Sequence, residues 1–250
     1  MTAFGTAQGK AQPLSVSHPS ATVAELSASA FIEDLLAAAG HTGLEEDQAL
    51  ALLGRNDLPP AAFETLARNP VASKSRKTLL NLVQHVRVPR HVALPLLRRL
   101  FAFELMDVAL SPTAPPDLKL VAEQLLLDKL EAISLGERIN MARRASAGIV
   151  SALLLQDERT VIEAALQNPR MTEASIVKAV SAAKNPTTLI EIVVENAKWS
   201  VRREIQLAVL RRPETPELIV MRIARALPKP VIYELLKDLL LPERKAELQR

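Results

Sequence analysis

The chain has 250 residues, of which 48% are hydrophobic but only 3% aromatic, with seven Gly and no Cys. That composition excludes disulfides, thiolate chemistry and Cys-ligated zinc or iron–sulfur sites. It argues for helices with a thin, repeated Leu/Ala/Val core rather than one large aromatic-rich core, because Leu and Ala cost least in a helix. The formal charge of +3 is unevenly spread: residues 1–60 hold two basic and seven acidic side chains, 61–150 thirteen and eight, 151–250 sixteen and thirteen.

Residues 1–21 are rich in Ala, Ser, Thr, Gly, Gln and Pro without an apolar period, and are expected to form a disordered tail. They lack the charged and apolar regions of a secretory signal. No uncharged apolar run approaches the roughly 20 residues that span a bilayer, so a soluble, cytoplasmic protein is expected. Thr22-x-x-Glu25 then reads as a capping box, with Leu26, Phe31, Ile32, Leu35 and Leu36 behind it and Gly40 as the stop. Thr42-x-x-Glu45 repeats the start signal, Leu50, Leu52 and Leu53 follow, and Gly54 closes; residues 22–58 thus read as an acidic N-terminal helical cap.

From residue 59 to 240 the stops are Asn69-Pro70, Ser111-Pro112, Asn168-Pro169, Asn185-Pro186 and Arg212-Pro213, with a C-terminal end over 241–250. Asn before Pro is expected either in the left-handed conformation that ends many helices or pushed extended by the following ring. Ser73, Pro115, Thr172 and Thr215-Pro216-Glu217 read as helix starts, as does the box Ser134-x-x-Glu137. A helix is predicted over 172–183, between two Asn-Pro pairs.

The intervals from Pro70 to Pro112 and from Pro169 to Pro213 are 42 and 44 residues, and Pro89–Leu100 matches Pro216–Leu227 at an offset of 127. Those spacings predict a two-helix repeat of about 42 residues, in which no unit buries its apolar face alone. One continuous domain over 22–250 is expected.

The segment from Ser200 to Pro213, SVRREIQLAVLRRP, resembles the second helix of a bacterial HEAT-like or leucine-rich-variant repeat, in its Val-Arg start and its Ala/Leu face. Asp157–Pro169 is similar, although Ile162 stands where the HEAT-type Arg would be. The resemblance covers about residues 60–240. It implies a right-handed α-solenoid and, since HEAT-like families are mostly scaffolds and adaptors with rare enzymes among them, a protein partner.

Neither a GxGxxG nor a Gly-Lys-Ser/Thr phosphate loop occurs, so no nucleotide cofactor is assigned. His18, His41, His85 and His91 show no metal spacing, HExxH or Ser/His/Asp arrangement, so no metal or catalytic residue is assigned either. Acid pairs such as Asp157/Glu158 and Glu45/Glu46 sit at helix starts, where they suit the helix dipole.

The residues that stand out are basic. Residues 65–103 hold Arg68, Lys74, Arg76, Lys77, Arg87, Arg90, Arg98 and Arg99 and no acid, a field able to attract an anionic partner. Either the acidic segment 25–57 folds over this stretch, or it meets an acidic protein, nucleic acid or anionic lipid. Trp199, beside Arg202 and Arg203 and just ahead of a predicted N-cap at Ser200, either covers a repeat end or stacks on a base. The expected function is a non-enzymatic scaffold for a protein partner, an acidic one among the candidates. The alternative is nucleic-acid binding in the manner of HEAT-like DNA glycosylases.

Overall fold

A computed structural model of the chain describes residues 13–14 and 21–232. His18, most of the tail expected over 1–21 and the whole end expected over 241–250 lie outside them. The described residues hold sixteen complete α-helices and no strand, an all-α fold as expected. In chain order these are α1 (Val23–Ala28), α2 (Ile32–Gly40), α3 (Glu46–Leu53), α4 (Pro60–Arg68), α5 (Pro70–Lys74), α6 (Arg76–Gln84), α7 (Arg90–Leu97) and α8 (Ala102–Leu110). They continue as α9 (Pro116–Lys129), α10 (Leu135–Arg144), α11 (Ala147–Leu153), α12 (Arg159–Leu166), α13 (Glu173–Ala182), α14 (Thr187–Glu195), α15 (Arg203–Arg211) and α16 (Glu217–Ala226). The chain divides into two compact units between Leu125 and Leu126, inside α9. None of these helices is long and apolar enough to cross a membrane.

Each unit is built from two rows of helices. In the first, α2 packs on α4 and α4 on α7, while α1, α3, α6 and α8 form the second row. In the other unit α10, α12 and α14 make one row and α11, α13 and α15 the other, with α16 against α15. The row-one helices begin at Ile32, Pro60 and Arg90 in the first unit, steps of 28 and 30 residues. In the second they begin at Leu135, Arg159 and Thr187, steps of 24 and 28. These steps are shorter than the forty-odd residues expected. The prolines that suggested the longer period are not equivalent: Pro70 follows a row-one helix and Pro112 a row-two helix, and so do Pro169 and Pro213. Each interval therefore spans one and a half helix pairs.

Local capping explains most helix starts. Thr22 and Ser134 form reciprocal boxes with Glu25 and Glu137, and the Thr172 hydroxyl accepts from the Ser175 amide. Pro89 and Pro216, the matched pair 127 residues apart in sequence, both stand at N-caps. Four starts differ from expectation. Leu44 is buried, and turning it inward delays the helix, so the cap is Glu45 with Gln48 rather than Thr42 with Glu45. Ser73 lies inside α5, and Ser75 caps α6 instead. α9 begins at Pro116, not Pro115. Thr215 is buried with its hydroxyl donating to the Val209 carbonyl at 2.6 Å, which leaves the N-cap to Pro216.

No described residue has a positive φ. The pre-proline Asn69 sits at φ −63°, ψ 128°, so the proline's steric push to extended backbone wins over the left-handed cap. With left-handed caps absent from the described residues, the orphan carbonyls at helix ends find other donors. Side chains at the end of one helix reach the end of the preceding helix in the same row. Asn69 Nδ2 donates to the Ala39 and His41 carbonyls at 3.1 and 3.0 Å, closing α4 onto α2. Asn168 Nδ2 does the same for α12 on α10, to Ala142 at 2.8 Å and Ala145 at 3.3 Å. Arg212 closes α15 onto α13 through the Ser181 and Ala183 carbonyls, and Arg55 closes α3 onto α1 through the Ser27 carbonyl.

His85 makes the corresponding seam between α6 and α3. Its Nδ1 accepts from the Arg87 amide at 3.0 Å, which leaves Nε2–H to donate to the Arg55 carbonyl at 3.2 Å. The ring packs at 4.7 Å on Phe63, the largest fully buried side chain. Burial holds its pKa below the usual 6.5, the nearby Arg87 charge acts in the same direction, and the Arg55 carbonyl opposes them. A histidine depressed in the folded state favours the neutral form. As pH falls below about 6.5, the unfolded chain takes up a proton that the folded chain refuses, and stability declines until the folded pKa is passed. Urea unfolding midpoints are therefore expected to fall between pH 7.5 and pH 5, and to fall less in His85→Gln. An equal fall in both proteins would show that His85 does not carry the pH dependence.

Candidate functional site

The eight cations of residues 65–103 divide into bonded and unbonded groups. Arg68 and Arg90 make long ion pairs, at 3.9 Å to Glu64 and 3.5 Å to Asp117. Arg87 is a seam residue, donating to the Asn56 carbonyl at 2.7 Å. Arg99 donates to the Ser73 carbonyl at 2.9 Å, joining the end of α7 to α5. Arg76 is the most engaged: it pairs with Glu104 through Nε and both carboxylate oxygens, donates to the Arg99 carbonyl at 3.1 Å, and lies 4.1 Å over the Phe101 ring. The side chains of Lys74, Lys77 and Arg98 are exposed and bond to nothing among the described residues.

The acidic segment 25–57 does pack on this stretch, since α2 contacts α4 and α3 contacts α6. It does so through backbone carbonyls and apolar side chains. The ion pairs of the basic residues go instead to Glu64, Glu104 and Asp117. Glu64 and Glu104 border the acid-free window on either side, so the window's two flanking acids fold back on it.

What remains is a compact basic group. Arg76, Arg99, Ser73, Phe101 and Glu104 are knit by the bonds above, and Lys74, Lys77 and Arg98 are chain neighbours of Ser73, Arg76 and Arg99. Glu104 is the one acid bonded to any of these five cations among the described residues. Phe101 is 67% exposed, with Arg76 on one face. Its amide donates to Glu104 at 2.7 Å, so the ring is held by the start of α8. The helix dipole sharpens the picture. Lys74 and Arg98 stand at helix C-terminal ends, where cations are favoured, but Lys77 is the second residue of α6, where they are disfavoured.

Trp199 is placed differently from the expectation. The turn before α15 is set by Asn196, whose Oδ1 accepts from the Lys198 and Trp199 amides. The N-cap is then Arg202 rather than Ser200. Trp199 is buried, its Nε1–H donates to the Leu166 carbonyl at 2.9 Å, and Lys198 covers the ring at 4.2 Å. The indole therefore ties α14 to the end of α12 and offers no face to a base. Arg202 and Arg203 are exposed, and their side chains bond to nothing among the described residues.

Of the histidines, His41 accepts from the Gly43 amide and His91 lies 2.9 Å from Glu64. No three His, Asp or Glu gather to hold a metal among the described residues. In the second unit, α11 and α13 flank an open channel of about 500 Å³. Its walls are small and apolar, including Ala147, Ala152, Ala174 and Ala179, with the half-exposed Leu155 at the end of α11 and Lys178 as its charge. No family model, curated protein or solved structure matches the chain.

Proposed function

We propose that the chain is a HEAT-like helical scaffold, a right-handed solenoid of short helix pairs, that works by holding a protein partner. The observation that carries this reading is the basic knot with its exposed aromatic ring, Phe101 among Lys74, Arg76, Lys77, Arg98 and Arg99. Three of its charges are left open by the fold, and Lys77 stands where helix stability disfavours it. Aromatic and Arg anchors ringed by solvated charge are what protein interfaces use. The open channel between α11 and α13 supports the same reading, because small side chains let a partner backbone approach. Capture with the full-length protein as bait is expected to retain a protein partner after nuclease treatment. Substrate turnover that is lost on mutation of a pocket residue would sink the scaffold reading.

Nucleic acid is the second reading, favoured by the same three open cations. If it holds, the number of free charges sets its salt dependence. Three neutralised phosphates give a slope of log K against log salt of about −3 for duplex DNA, whereas eight would give about −7. Titrating a labelled duplex at several salt concentrations measures the slope. Binding that is absent at low ionic strength removes this reading, and a slope near −7 would mean that the bonded arginines also reach phosphates.

A further inference from the structure

The scaffold reading leaves the partner's chemistry open, and the following inference rests on that reading. We propose that the surface around Phe101 binds an acidic protein segment that carries an apolar side chain among its carboxylates.

The charge pattern selects the acidic residues. Lys74, Lys77 and Arg98 each lie one residue from the knot formed by Ser73, Arg76 and Arg99, and consecutive Cα atoms are only about 3.8 Å apart. All three side chains are exposed and bond to nothing among the described residues, so carboxylates can approach without breaking an existing ion pair. Arg99 adds a further positive charge, held in place by its bond to the Ser73 carbonyl, while the charge of Arg76 is met by Glu104. Clustered charge of one sign steers an oppositely charged segment and fixes its register.

Phe101 selects the apolar residue. It is a large side chain, 67% exposed, whose backbone is pinned by the Glu104 carboxylate and one of whose faces is occupied by Arg76. Burying the open face against an apolar side chain removes that surface from water. A phosphate backbone satisfies the charges but needs a base to cover the ring. Among the other described aromatic residues Phe63 and Trp199 are buried and Phe31 and Phe103 only partly exposed, so no second well-exposed ring extends a stacking platform. A single apolar contact within a field of cations fits an acidic peptide better than a run of bases.

Lys77 supplies a readout that a structural role would not give. Its ammonium opposes the α6 dipole and has no compensating acid among the described residues, whereas Arg76 beside it has Glu104. Lys77→Glu is therefore expected to raise the melting midpoint while weakening partner binding. If both stability and binding fall, Lys77 is held for the fold and the proposal fails.

The test uses the full-length protein and fluorescence anisotropy at low ionic strength, with three labelled probes: a glutamate-rich peptide with one central Phe, the same peptide with Ala in its place, and a single-stranded oligonucleotide. The Phe peptide is expected to bind, and to lose about tenfold in affinity in the Lys74→Glu, Lys77→Glu, Arg98→Glu variant. Reversal of Lys184, Arg202 and Arg203 in the second unit makes the same change in net charge and should leave binding unchanged. Phe101→Ala should weaken the Phe peptide and leave the Ala peptide unchanged. Equal binding by wild type and the first-unit reversal, binding of the oligonucleotide alone, or no binding of any probe overturns the proposal. Lysate capture with the same two proteins separates it from the scaffold reading. A nuclease-resistant partner held equally by wild type and reversal removes this surface but keeps the scaffold, and no such partner on wild type removes the scaffold itself.

Discussion

Asn168→Ala is expected to destabilise the protein by about 3 kcal/mol, while Asn185→Ala, in the same Asn-Pro context 17 residues along, stays within about 0.5 kcal/mol of wild type. Asn168 is fully buried. Its Nδ2 serves two carbonyls at the end of α10, and its Oδ1 accepts from the Arg170 amide at 2.7 Å. Alanine leaves these backbone groups without their partner in a place water does not reach, and each buried orphan costs about 1–3 kcal/mol. Asn185 is exposed and has no bond to lose among the described residues. Asn168→Asp should be worse than Ala, because it turns a carboxylate toward two carbonyl oxygens in a buried site. Asn69→Ala belongs with Asn168→Ala, since its side-chain amide donates the same pair of hydrogen bonds to the end of α2. Urea midpoints measure all four. A loss of about 3 kcal/mol moves the midpoint by about 1 to 1.5 M. Equal midpoints for Asn168→Ala and Asn185→Ala would show that the seam between successive helices of a row contributes little.

The contrast between these two asparagines marks how far the sequence could be read. Features that depend on three or four neighbouring residues were legible: the boxes at Thr22 and Ser134, the cap at Thr172, and the helix between the two Asn-Pro pairs. The Leu/Ala core and the all-α class followed from composition. The function of each Asn did not, because it depends on a carbonyl 23 to 30 residues away. The Asn-Pro dipeptide says that a helix stops, and only the packing of the next helix in the row says whether its amide is used.

The basic stretch shows the same dependence on distant residues. Counting acids within 65–103 found none, yet Glu64 and Glu104 sit one residue beyond its ends and reach Arg68 and Arg76 across turns of the helix or of the row. Arg87, Arg99 and Arg212 are donors to carbonyls at the ends of other helices. That long-range use of arginine leaves no local pattern. The signal present in the sequence was the abundance of Arg at helix ends, without a left-handed Gly cap to satisfy the carbonyls. The candidate site emerged by subtraction: Lys74, Lys77 and Arg98 remain once the bonded cations are removed. Nothing in the sequence around Phe101 marks its ring as exposed, because that exposure is set by packing.

Trp199→Ala is expected to cost about 3–5 kcal/mol, the largest single effect among the substitutions considered. The side chain is 4% exposed, so its removal leaves a cavity where α14 meets the end of α12, and the Leu166 carbonyl loses its donor. Trp199→Phe separates the two contributions. It keeps most of the apolar volume but removes the indole N–H, so it should cost about 1–3 kcal/mol, the range for leaving one buried acceptor unmet. Trp199 is the only Trp in the chain. Its fluorescence therefore reports this seam directly in the wild type, and circular dichroism follows unfolding in both variants. The same pair decides the role of the residue. If the indole is a structural tie, Trp199→Phe leaves oligonucleotide and peptide binding unchanged at temperatures where it is folded. If it stacks on a base, Trp199→Phe alters oligonucleotide affinity with little change in the unfolding midpoint. The bond to Leu166 and the cover of Lys198 predict the first outcome. A Trp199→Ala midpoint within about 0.5 kcal/mol of wild type would contradict the buried placement itself.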